Sequence, residues 1–148
     1  MDLADIASAL ATRYGSASLT APTGYTTVQS SSHLLGEGGG KTPFVRVIFD
    51  GLHELRYVAS RRLGHARFIV RFYVDQASKM EDTTTALYAW HDVLVDRPIG
   101  QLQLGESATA NAVSGAYIID TAFVFVRLGD VDYACIDQTV EVQFSHAI

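Results

Sequence analysis

Three stretches of the chain alternate apolar and polar side chains with the two-residue period of a strand that has one buried face. FVRVIFD (44–50) sets Val45, Val47 and Phe49 on one side, and Phe44, Arg46, Ile48 and Asp50 on the other. ARFIVRFYVD (66–75) separates Phe68, Val70, Phe72 and Val74 from Arg67, Ile69, Arg71 and Tyr73. YACIDQTVEVQFSH (133–146) turns Val140, Val142 and Phe144 inward, with Glu141 and Gln143 outward. AYIIDTAFVFVRL (116–128) is a longer apolar run, read either as a strand buried on both sides or as one that bends near Asp120. Between these last two, LGDVDY predicts a hairpin with Gly129-Asp130 at its tip. ELRYVAS (54–60), IGQLQLG (99–105) and YTTVQS (25–30) carry weaker strand signals.

Two stretches follow the helical period instead. Over residues 2–14, Leu3, Ile6 and Leu10 share one face, Asp2 can cap the start, Arg13 suits the C-terminal dipole, and Gly15 ends the run. Over about 83–96, Leu87, Trp90, His91 and Leu94 form an apolar stripe, with Asp82 or a threonine as cap and Pro98 beyond the end. The order is helix, three strands, helix, then two or three strands. That order predicts a single α+β domain over 1–148, with a mostly antiparallel sheet and both helices on one of its faces. Residues 15–42, rich in Gly, Ser and Thr, read as a flexible segment of a length unusual inside a compact domain unless it is functional or disordered until bound.

Composition narrows the function classes. With 148 residues, nearly half of them apolar, the chain can bury a sizeable core unaided. Its 11 Lys and Arg against 16 Asp and Glu give a net charge of −5, which disfavours broad electrostatic binding to nucleic acid. No apolar run approaches the roughly 20 residues that span a bilayer. The start MDLADIASAL lacks the basic region of a signal peptide, and the lone Cys135 fits a reducing compartment, so a cytosolic origin is expected.

GEGGGKT (36–42) ends like a phosphate-binding loop, but Leu35 stands where the motif needs its first glycine. The preceding Ser30-Ser31-Ser32-His33 is too polar for a central strand, and the following stretch alternates like a strand where the motif requires a helix. The expectation is a glycine-rich loop, and no nucleotide at Lys41. The five histidines lack ligand spacing. His91, beside Asp92 and one turn from Asp96, reads as an edge-of-core histidine. Cys135 reads as a packed thiol, and Ser107 and Ser114 lack a nucleophile elbow. Asp120 is explained by a bulge or an outward-facing edge position better than by catalysis. No catalytic constellation, metal set or cofactor site emerges. Arg67 and Arg71, preceded by Arg61 and Arg62, read as a solvated face or as contacts between subunits.

Three features carry a family resemblance: the N-terminal helix LADIASALATRYG, the strand-to-helix stretch FIVRFYVDQASKMEDTTTALYAWHDVLVD, and the terminal hairpin GDVDYACIDQTVEVQF. In these the chain resembles the tail terminator (tail completion) proteins of long-tailed bacteriophages, small α+β proteins that form hexameric rings on the end of the tail tube. The likeness covers most of the chain from about residue 44 onward. The segment before residue 43 and the run ATANAVSGAYIIDTAFVFVRL depart from the shorter family members.

The resemblance implies a non-enzymatic structural protein of the virion, assembled in the host cytoplasm without cofactors. Its implied partners are copies of itself, the tail tube protein and the head-tail connector protein, with DNA passing through the lumen and no membrane. The glycine-rich loop with Lys41 would be a docking arm. A head-to-tail contact is expected in which FIVRFYV or TVEVQF serves as an edge strand. In it Arg61, Arg62, Arg67 and Arg71 meet Glu81, Asp82, Asp130 or Asp132 of the next subunit. Rival readings are another neck or tail protein (a connector subunit or tube protein) and a small ligand-binding protein or enzyme.

Overall fold

The alternating stretches pair as one five-stranded sheet in the computed structural model, which describes residues 3–15, 19–34, 40–58, 61–77, 80–95 and 111–147. Its strands are β1 (Ser30–Ser32), β2 (Phe44–Val58), β3 (Arg61–Gln76), β4 (Asn111–Leu128) and β5 (Val131–Ala147), side by side in the order β1-β2-β3-β5-β4. Three of the four pairings are antiparallel, and the short β1 runs parallel to β2 at Phe44–Arg46. Helices α1 (Leu3–Arg13) and α2 (Met80–Val95) lie on the same face. The α+β architecture expected from the periodicities is the one the chain adopts.

The inward residues of the alternation make the core. Ile6 and Leu10 of α1 and Leu87, Trp90 and Leu94 of α2 close over Val45, Val47, Phe68, Val70, Phe72, Ile136 and Val140. Trp90 is buried to 1% exposure, its ring centroid 4.6 Å from that of Phe72. Two polar side chains are buried among the described residues, Thr83 and Gln138; the Oε1 of Gln138 accepts a hydrogen bond from the Tyr14 hydroxyl at 2.6 Å and ties α1 to the middle of β5.

The opposite face carries no helix among the described residues, yet it holds a second, smaller cluster. Phe44 stacks on Tyr73 with centroids 4.3 Å apart, Tyr133 meets both edge-on, and Cys135 completes the group. The Arg46 guanidinium lies 5.0 Å above the Phe44 ring, which adds a cation–π contact and shields it from water.

Several boundaries differ from the periodicity. FVRVIFD and ELRYV (54–58) are one strand, β2, kinked by irregularities at Phe49/Gly51 and His53/Arg56; Gly51 takes a φ of 121° that disfavours a side chain. Alternation breaks at each kink, which is why the sequence reads as two strands. The short first strand is Ser30–Ser32, which shares only Ser30 with YTTVQS; the polar run takes an edge position with three ladder residues. Helix α2 begins at Met80, ahead of the expected Asp82 or threonine cap, and Thr83 Oγ1 donates to the Gln76 carbonyl. The run 116–128 is not buried on both sides: β4 is an outer strand, bent by an extra residue between Ile118 and Asp120. Its turn at Gly129-Asp130 is the two-residue hairpin expected, with Gly129 at φ 59°. IGQLQLG lies outside the described residues.

Strand position also corrects the expected edges. FIVRFYV belongs to β3 and TVEVQF to β5, and both are paired on each side. Among the described residues, the open edges are β4 and, beyond the three residues that β1 covers, β2.

Candidate assembly surfaces

Arg67 and Arg71 point from β3 onto the helix-free face, where β5 supplies their partners. Arg71 makes a bidentate pair with Asp137, at 2.8 Å from Nε and 2.9 Å from the second guanidinium nitrogen. Arg67 Nε donates to Glu141 at 3.0 Å, and the other oxygen of Glu141 lies 2.8 Å from His65 Nδ1. The ladder register produces this pattern, since Arg67 stands opposite Glu141 and Arg71 opposite Asp137. The bond to Asp137 raises the Arg71 pKa above its already high value. Burial raises the Tyr73 hydroxyl, partly offset by Arg71 beside it. The Cys135 thiol is pushed up to about 12, mainly by burial, so it is held protonated and unreactive.

These contacts lie within one chain. Arg67 and Arg71 already have acids of their own chain, so they do not require Glu81, Asp82, Asp130 or Asp132 of a neighbour. Asp132 too has a partner within the chain, Arg127 at 3.9 Å, in an exposed pair.

The remaining charged candidates separate along the strands. Arg61 and Arg62 stand at the start of β3, opposite Ala147 and His146 of β5; their side chains lie outside the described residues. The far end of β3 reaches Gln76, opposite Tyr133. Close to that end are the exposed hairpin tip Asp130, Asp132 (whose carbonyl accepts from Ala77 N at 2.8 Å) and the exposed Asp82 in the first turn of α2. Glu81 shares that turn, with its side chain outside the described residues. By backbone position, Arg61 and Arg62 thus mark one end of the sheet, and Asp82, Asp130 and Asp132 outnumber the cations Lys41 and Arg127 at the other.

Lys41 is exposed at the acidic end, beside an open depression of about 480 Å³ lined by Thr26, Gln29, Gly40, Thr42 and Gln76. Residues 36–39 of the glycine-rich run lie outside the described residues; Gly40–Thr42 lead across a cis Thr42–Pro43 bond into strand β2, where a phosphate-binding loop would open a helix. His91 lies at the core edge with its ring against Phe123, centroids 5.6 Å apart, and Asp120 is an exposed residue beside the β4 bulge, as their sequence contexts suggested.

What the sequence did not reveal is an apolar edge. On β4, Phe125 is 63% and Phe123 43% exposed on the helix side, and Tyr117 and Ile119 are also exposed. Helix α1 covers β1, β2 and β3, and α2 covers β3 and β5, so β4 flanks the helix layer and is met from it by Tyr88 and His91 against Phe123. On the other edge, Phe49 (48%) and Leu52 (40%) are exposed on β2 just past the end of β1. The signal was present in TAFVFV (121–126), an uncharged run that burial on both sides seemed to explain. No protein-family model matches the chain, and no characterised protein matches it in sequence.

Proposed function

We propose that this chain is a structural protein of a long-tailed phage virion that assembles into a ring, caps the growing end of the tail tube and joins it to the head-tail connector. The observation that carries the reading is the outer strand β4, open among the described residues, whose stretch 121–126 bears no charge and exposes two phenylalanines. Left bare, such an edge invites uncontrolled pairing, and proteins normally blunt it with Lys, Pro or a cover. A protein whose task is assembly hides it against another subunit. The different charge of the two ends of the sheet further supports a ring with two unlike faces, one for the tube and one for the connector. The depressions lined by described residues are open and shallow, without the convergent buried polar groups of a ligand site. The net charge of −5 suits a lumen past which DNA slides without sticking.

The test is electron microscopy of the purified protein mixed with tail tubes. A ring at one tube end, with tube growth halted, is the expected result. Tubes bearing no ring refute the reading, and long tubes formed by the protein alone replace it with that of a tube protein.

A further inference from the structure

The proposed ring leaves open which surfaces join its copies, and the sheet supplies an answer that rests on that reading. Strand directions alternate from β2 through β3 and β5 to β4, so β2 and β4 run in opposite directions. A neighbouring copy in the same orientation therefore presents its β2 antiparallel to the β4 of the first. The alternation continues unbroken across the boundary.

We propose that copies of this chain join head to tail by antiparallel pairing of the outer edge of β4 with the open stretch of β2, Val47–His53, of the next copy. On β4 the regular, unbulged stretch is Asp120–Leu128, paired residue for residue with Val131–Thr139. Its centre carries no charge. On β2, the first three residues are occupied by β1 and the edge opens at Val47. Side-chain faces agree: Phe123 and Phe125 pair with Ile136 and Ala134, Phe49 and Leu52 with Phe68 and Ala66, and all lie on the helix side.

Register follows from the same ladders. Phe123 stands level with Val45 of its own chain, through Ile136 and Phe72. A neighbour placed without stagger would thus set its β1 against Phe123. Sliding the neighbour until Phe125 meets its Phe49 moves β1 clear, and the extra residue at Asp50 then brings Leu52 opposite Phe123. Closing a twisted sheet on itself demands such a stagger. The contact buries two apolar pairs that are exposed in one copy, and it satisfies the backbone groups of both edges.

A head-to-tail contact uses two different surfaces, and that makes it testable by mixing. One variant blocks β4 (Phe123→Lys with Phe125→Lys), and the other blocks β2 (Phe49→Lys with Leu52→Lys). Each position is at least 40% exposed, and circular dichroism checks that both variants fold. Mass is measured by light scattering at high concentration and, in parallel, ring formation is imaged on tail tubes. The parent forms rings, each variant alone stays at the 16.1 kDa chain mass, and an equimolar mixture stops at twice that mass. Self-association of the β2-blocked variant into dimers overturns the proposal in favour of β4 pairing with β4. Rings that form on tubes from either variant alone discard the edge pairing while keeping the proposed function. A parent that never assembles, in solution or on tubes, removes both.

Discussion

Truncating Trp90 to alanine tests the central packing argument, that the stripe on α2 is what fastens this helix to the sheet. The indole is 1% exposed, tilted against Phe72, and flanked by Leu87 and Leu94 on the same helical face. A tryptophan buries on the order of 200 Å². At about 25 cal/mol per Å² the transfer contribution alone is ~5 kcal/mol, of which the remaining alanine retains a small part. The cavity left between α2 and β3 adds to the loss, while inward relaxation of the helix subtracts from it. We expect a net destabilisation of about 3–5 kcal/mol, measured by urea unfolding followed by circular dichroism. The unfolding slope stays near the parent value if the variant still unfolds in two states. A loss under about 1 kcal/mol would refute the reasoning, because no residue buried this deeply and stacked on an aromatic can be removed so cheaply.

Three further outcomes follow from contacts already described. Asp137→Asn, which weakens the bidentate pair with Arg71, costs about 1.5–3 kcal/mol, and a cycle with Arg71→Gln shows coupling; the more exposed Arg67–Glu141 pair gives about 0.2–1 kcal/mol in the same unfolding assay. The raised Cys135 pKa means that the unfolded chain releases this proton first as pH rises. Its stabilising contribution is thus complete below pH 9 and is lost on approaching about 12. Unfolding free energy should fall across that window, and less steeply for Cys135→Ala. At neutral pH the thiol should resist alkylation until the protein unfolds. Calorimetry with ATP and magnesium should give no binding heat, since Gly40–Thr42 enter a strand; micromolar affinity lost in Lys41→Ala would overturn this.

The sequence reveals the architecture where period and burial coincide. Val45, Val47, Phe68, Val70 and Phe72 alternate in the chain and point to one core, and the Leu87–Trp90–Leu94 stripe finds it. Strand order is not readable that way, because an alternating stretch looks the same at an edge and in the middle. FIVRFYV and TVEVQF advertise themselves as strands so strongly because they are central, which is why neither serves as the edge. For β4 the sequence left two readings, burial on both sides or a bend near Asp120, and the bend is present; hydrophobicity alone cannot tell a covered face from a bare one. The arginine partners were legible in principle. Arg67 and Arg71 are four residues apart, as are Asp137 and Glu141, and antiparallel pairing of the two strands matches both pairs at once. Comparing the spacing of charges between the two strands, with subunit contacts set aside, would have found them.

The distribution of polar and apolar groups then makes one physical argument. Where polarity enters the core, it fixes position: the Tyr14 hydroxyl bonded to Gln138 penalises any docking of α1 that leaves this amide without its donor, while Gln138 Nε2 finds no protein acceptor. An unmade bond of that kind costs about 1–3 kcal/mol, so the arrangement favours one placement of the helix over its alternatives. On the helix-free face, arginines and acids pair within the chain and cancel. A face of this kind is soluble and has little reason to stick to a copy of itself. The edges are the reverse case: among the described residues, phenylalanines are exposed and backbone groups unpaired on β4 and on β2 beyond β1. Under the proposed edge pairing, copies of such a sheet add sideways, in the plane of their own strands. Growth in that direction closes into a ring once each copy is turned and staggered by a constant amount relative to the last.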